Sequence, residues 1–269
     1  MRIHGFLRAA TVAGCCGLAL GEASAAETCR LEDDTRAGVT RVVDGETLAL
    51  DDGRTLRLAG ALATKPDDPS AVRALEALVA GRTLALRTDG RRSDRYGRVL
   101  AQAFLVPLGE AGGEEVWVQN RLVRDGMARA SALPGNGTCL ALLLAAEREA
   151  RLTRRGLWRD VRYRVRAADD ARALMSLVGQ FALVAGRVAG VTRTRQTVFI
   201  NFGADWRRDF TATLPGRIAE KSEEEAGWLL ALEGKSVRVR GWIERRNGPL
   251  IALGSADEIE VLEEGEAAP

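Results

Sequence analysis

The groups from which this chain could build chemistry are arginines and carboxylates set close together in three short phrases. These are Arg41-Val42-Val43-Asp44-Gly45-Glu46-Thr47-Leu48, Arg57-Leu58-Ala59-Gly60 and Asp94-Arg95-Tyr96-Gly97-Arg98. A guanidinium is a planar fork of donors that matches phosphate oxygens, while a carboxylate can hold a hard cation or take a proton from water. Histidine chemistry is excluded by composition, because the single histidine, His4, lies in an N-terminal segment that reads as a removable export signal. Ser-His-Asp hydrolases, histidine-metal nucleases and histidine-pair ribonucleases therefore fall away. What remains is carboxylate, arginine, lysine or tyrosine chemistry.

These phrases sit among strand signals. Val39 to Val43, Thr47 to Leu50 and Thr55 to Ala59 are rich in β-formers and are separated by Asp44-Gly45 and Asp51-Asp52-Gly53, which are hairpin turns. A helix is expected from Pro69-Ser70 to Val79, stopped by Gly81, before strands resume at Thr83 to Arg87 and Arg98 to Phe104. Two further helices are expected, over Val118 to Met127 and over Cys139 to Arg155. The second carries a stripe of Leu140, Leu143, Leu144 and Glu147, with Gly156 as its cap. The expected fold class is α+β, mainly β: a five-stranded OB barrel with three helices, followed by a second, smaller OB-like barrel.

The motifs resemble the staphylococcal nuclease family over about residues 37–163. The match includes Val118-Gln119, Leu122-Val123-Arg124-Asp125-Gly126, Glu147-Arg148-Glu149-Ala150-Arg151 and Gly156-Leu157-Trp158. The resemblance implies hydrolysis of DNA and RNA phosphodiesters around one calcium ion held by two aspartates, with a glutamate as base and two arginines on the phosphate. Arg57 and Arg98 match those arginines, although ion pairing with nearby carboxylates is the plainer alternative for both. Arg95 and Tyr96 match positions that contact a terminal phosphate and base. Glu46 stands at the first calcium aspartate, but Leu62 stands at the second and Lys65 at the glutamate. Leucine cannot ligate calcium, and lysine inverts the charge needed of a base. With a two-residue insertion, Asp67 or Asp68 could serve as base, while Lys65 could bind phosphate as a point charge.

The resemblance with these departures implies a protein that grips nucleic-acid phosphodiesters, single-stranded DNA or RNA, through Arg57 and Arg98. Its calcium dependence is weakened or absent and its hydrolysis impaired or lost. The alternatives are a calcium-dependent nuclease using Glu46 with Asp67 or Asp68, and a non-catalytic interaction module of the cell envelope. The net charge of +2 means that any such binding must come from local arginine clusters rather than from bulk charge.

Beyond a polar linker at 164–178, a second strand-rich block is expected over 179–262, ending in an acidic tail at 263–269. Its strands are Phe181 to Val191, Gln196 to Phe202, Asp209 to Leu214, Ser236 to Ile243 and Leu250 to Leu253, with a helix from Glu220 to Leu232. Phe199, Phe202, Trp206, Phe210 and Trp242 lie near arginines in this block, a pairing that single-strand binders use. Most of them read as core, with Trp206 and the Arg245-Arg246-Asn247-Gly248 turn as the exposed exceptions.

Residues 1–25 read as an export signal, with Arg2 and Arg8 before an apolar run and Ala23-Ser24-Ala25 as a cleavage site. Lipidation at Cys15 is the alternative, and the run is too short to span a bilayer. A periplasmic or secreted protein follows as the expectation. The cysteines left after cleavage, Cys29 and Cys139, allow one disulfide or two free thiols.

Overall fold

A computed structural model describes residues 29, 31, 35–65, 67–88, 90–108, 115–132, 137–219 and 223–263. The export signal, Cys15, Pro66 and the end of the acidic tail lie outside the described residues. Among the described residues, no helix is long and apolar enough to cross a membrane.

The first barrel begins with β1 (Thr35–Asp44), a ten-residue strand. Its later half pairs with β2 (Thr47–Leu50) across the Asp44-Gly45-Glu46 turn, and its first four residues pair with β5 (Thr83–Arg87). β3 (Thr55–Leu58) follows β2 through a turn in which Gly53 takes φ +82°, a conformation open to glycine because it lacks Cβ. β3 then lies parallel to β6 (Val99–Leu105), which pairs antiparallel with β5, so the order β1-β2-β3-β6-β5 closes on itself. The short β4 (Ala61–Leu62) instead joins β8 (Arg129–Ala130), and β7 (Val116–Trp117) extends β6. Three helices complete this unit: α1 (Pro69–Val79), α2 (Val118–Arg124) and α3 (Leu140–Leu152). Leu48, Leu56, Leu75, Leu84, Phe104 and Leu143 fill the core with essentially no exposed surface.

Both later helices are shorter than their hydrophobic patterns imply. α2 stops at Arg124 because Gly126 turns the chain at φ +69°. α3 stops at Leu152 with Thr153 as its C-cap, and Gly156 serves a different purpose from capping. A Cβ on Gly156 would stand 2.2 Å from the carbonyl oxygen of Gly126. The two glycines let these backbones meet directly, sealed by a 2.9 Å bond from Leu157 N–H to that same carbonyl. The Cys29–Cys139 disulfide forms, with Cα atoms 5.3 Å apart, and ties the start of the described chain to the residue preceding α3.

The stretch expected to be a linker is folded onto the second barrel. β9 (Arg166–Ala167) pairs in parallel with β10 (Phe181–Arg187), and α4 (Ala171–Met175) is capped by Asp170 and buries Leu174 in the second core. The polar side chains that signalled a linker are the solvent face and cap of this turn of structure. β10 continues past a bend into β11 (Gly190–Arg193), followed by β12 (Thr197–Asn201) and β13 (Thr211–Pro215). Then come α5 (Gly216–Ala219), α6 (Glu223–Leu230), β14 (Ser236–Arg246), β15 (Gly248–Ala252) and β16 (Ile259–Val261). The pairings β11-β12-β13-β15-β14-β10 repeat the closure of the first barrel, again with β13 and β15 parallel and a helix before the fourth long strand.

Residue parity on β10 and β14 joins the two barrels. Ala182, Val184, Val237 and Val239 point into the second core. Their neighbours Phe181, Leu183, Arg238 and Arg240 point the other way and are nevertheless buried, because this outer face is pressed against the first barrel. Phe202 and Phe210 are core as expected, and Trp206 is 52% exposed. Trp242 departs from the expectation: it is 54% exposed, since its position on β14 puts it on the outer face.

Candidate functional site

Antiparallel register places Thr47 directly across from Arg57, and the β3–β6 pairing sets Arg57 beside Leu100, two residues beyond Arg98. Leu56 and Leu58 face the core, so alternation sends Arg57 to the opposite face. There its Nη2 meets Glu46 Oε1 at 3.3 Å. The other carboxylate oxygen of Glu46 accepts the Ala63 N–H at 3.2 Å. Glu46 is only 6% exposed, and burial pushes its carboxyl above the ordinary value although Arg57 works against the rise.

Arg98 is held by the loop it belongs to. Asp94 Oδ1 accepts the backbone N–H groups of Tyr96 and Arg98, and Oδ2 accepts Arg98 Nε at 2.7 Å. Burial pushes the Asp94 carboxyl up, but the bonds from Arg98 outweigh it and hold the group below its usual range. Arg98 Nη1 also reaches Thr47 Oγ1 at 3.3 Å, and Thr47 is the strand-register partner of Arg57. Arg95 and Arg98 flank the 67%-exposed Tyr96 ring at 4.7 and 5.5 Å, giving an aromatic face edged by cations.

Residues 65–160 match the model of the staphylococcal nuclease homologue family. A thermonuclease from Staphylococcus intermedius is 30% identical over 132 positions, which span 45% of this chain and 74% of that protein. The chain belongs to the staphylococcal nuclease family. The departure expected at Leu62 coincides with a packing contact. Leu62 is 9% exposed and packs with Trp158 and with Phe181 and Leu183 of the second barrel. Leu62, the residue that the motif resemblance sets at the second calcium position, is thus an apolar contact between barrels.

The remaining donors do not make up the loss. Glu46 has both oxygens engaged, by Arg57 and by Ala63 N–H, and Asp44 Oδ1 accepts the Glu46 N–H at 2.9 Å. Among the described residues, no three carboxylate, cysteine or histidine side chains are grouped to hold a metal ion. This donor set does not fit a calcium ion, which takes six to eight oxygens. Lys65, expected at the position of the glutamate, is exposed. Asp68 caps α1 by accepting the Ser70 N–H at 2.8 Å, and Asp67 is exposed beside it.

The second barrel also brings residues to Arg57 that no motif signalled. A cavity of about 430 Å³ holds Arg57 and Leu62 on one side and Trp242, Glu244 and Glu258 on the other. Glu258 is committed to the Gly254 and Ser255 N–H groups, at 2.7 and 3.3 Å. Nothing local in the sequence marks Glu244 or Glu258, because only docking brings them near Arg57. Leu62→Asp should not restore a ligand. It should bury a carboxylate among Trp158, Phe181 and Leu183 and lower stability by about 3 kcal/mol, read as a shift in denaturation midpoint at unchanged slope.

Proposed function

We propose that this protein binds nucleic-acid phosphodiesters and has lost the calcium-dependent hydrolysis associated with its family. The observation that carries this reading is the burial of Leu62, expected at the second calcium position, against Phe181 and Leu183 of the second barrel. The reading is supported by Arg98 bonding Thr47, the register partner of Arg57, and by Arg95 and Tyr96 being open to solvent for a phosphate and a base. The carboxylates beside the arginines offset part of their charge, so affinity should be modest and steep in salt.

An exported location follows from the same reading. It is supported by the buried Cys29–Cys139 bridge, of a kind that persists in oxidising compartments.

The test is a calcium titration with labelled single-stranded DNA at low salt, following binding and cleavage in one tube. Binding without cleavage is expected, and Arg98→Ala should weaken it for all sequences alike with a shallower salt slope. Degradation with turnover that stops on chelation would overturn the proposal and direct attention to Glu244, the exposed carboxylate on the Arg57 cavity.

A further inference from the structure

Between the barrels, on the other side of Phe181 and Trp242 from Arg57, lies a cleft of about 400 Å³. Lys65, Arg129, Arg162, Arg164 and Arg166 line it, and among the described residues no carboxylate does. Five cations around so small a volume repel one another, and burial further disfavours the charge of two of them, Arg129 and Arg166. An anion in the cleft would relieve both costs.

The individual side chains show how little internal compensation there is. Arg162 is paired with Asp160 at 2.5 Å, and the Glu147 charge offsets part of the burial cost of Arg129. Among the described residues, Arg166 bonds the Arg162 carbonyl alone, at 2.8 Å, and burial followed by repulsion from Arg164 moves its guanidinium down. Arg129 is 5% exposed, donates Nη1 to the Phe181 carbonyl at 2.9 Å and stands 4.5 Å over the Phe181 ring. Its buried Nε has no hydrogen-bond partner among the described residues, and burial pushes the group down to about 10. Lys65 and Arg164 are exposed and form no ion pair among the described residues.

The cleft also has flat aromatic surface. Tyr163 lines it together with the outer-facing, half-exposed Trp242. One inorganic phosphate would leave most of the volume and these rings unused, whereas a nucleotide unit supplies both an anion and a base that stacks. We infer that the cleft between the barrels is a second anion site, which takes the phosphates of a single-stranded nucleic acid with a base stacked on Trp242. It deepens the nucleic-acid reading above and rests on it. Lys65 gives the link: the residue that replaces the family's glutamate is itself a wall of this cleft. A strand leaving Arg57 past Trp242 would enter it directly.

The experiment compares the full chain with two double variants, using a labelled four-nucleotide dT oligomer and inorganic phosphate as probes. Lys65→Ala with Arg164→Ala removes two exposed cations without touching a core, and should weaken oligomer binding at least tenfold. The salt slope should flatten by about 1.4, at roughly 0.7 per single-strand phosphate contact. Trp242→Leu should weaken binding with the salt slope kept, and should abolish an oligomer-induced fluorescence change that phosphate does not produce. If the cleft variant binds like the parent while Arg95→Ala with Arg98→Ala does not, the strand sits at the family site: the inference falls and the nucleic-acid reading survives. Phosphate binding as tightly as the oligomer would make this a free-phosphate pocket and overturn the inference. No oligomer binding by the parent at low salt would remove both.

Discussion

Replacing Arg240 with methionine should lower the free energy of unfolding by about 3–5 kcal/mol, the usual cost of leaving a buried partner charge uncompensated. Arg240 and Glu147 have no exposed surface, and they belong to different barrels. Arg240 Nη1 reaches Glu147 Oε2 at 2.6 Å and the Ala130 carbonyl at 3.1 Å, while Nη2 bonds Glu260. The other Glu147 oxygen accepts the Ala130 N–H at 2.9 Å. One guanidinium therefore ties α3 and β8 of the first barrel to β14 and β16 of the second. Arg240→Lys should fail to rescue, because a single ammonium cannot reproduce the planar fork that bridges two carboxylates and a carbonyl.

Guanidinium denaturation followed by tryptophan fluorescence checks this. A variant that unfolds in two steps, with the barrels parting first, is the expected outcome, and an unchanged midpoint would refute the lock. Adding Glu147→Gln to Arg240→Met should cost less than the sum of the single changes, since the orphaned carboxylate is then gone. The same network sets a pH dependence. Burial pushes the Glu260 carboxyl up, but Arg240, Arg238 and Arg151 outweigh it and hold it below its ordinary range. A carboxyl depressed in the folded state contributes stability above its unfolded value, near ~4.3, and that share is lost as pH falls through the folded value. Glu46 and Glu258, both raised mainly by burial, act in the opposite sense and lose stability as pH rises above that value. The parent should therefore lose more stability on acidification than Arg240→Met does.

Opening the disulfide should have an effect of similar size on the first barrel alone. Cys29 and Cys139 are separated by 110 residues and are each 2% exposed. Closing a loop of that length restricts the unfolded chain by up to ~4.7 kcal/mol in the chain-entropy account. Cys29→Ser with Cys139→Ser should shift the first-barrel transition to lower denaturant and leave the second barrel's transition where it was. A shift in both would mean that the bridge supports the docking as well.

Several residues show why part of this was legible from the chain alone. Asp44-Gly45 and Asp51-Asp52-Gly53 announce turns through local backbone preference, and Leu56-Arg57-Leu58 announces its inward and outward faces through alternation. In the Asp94 to Arg98 phrase, the bonds that the Asp94 carboxylate accepts all lie within five residues. Glu147 was visible as one position of a helical apolar stripe, and Arg238 and Arg240 as the alternate residues of a β-run. Their burial was not visible, because a buried charge looks like a solvated one until its partner is known.

The sequence by itself determined two OB-type strand orders, the outward face of Arg57 and the apolar side chain at Leu62. These follow from pattern and side-chain type, which act within a few residues. Only the tertiary structure decided why leucine is there, what Trp242 faces, and how five cations come to share one cleft. Each depends on the outer face of β10 and β14 lying against the first barrel, a contact between segments some 50 to 110 residues apart. No local rule of propensity or spacing encodes a contact at that distance.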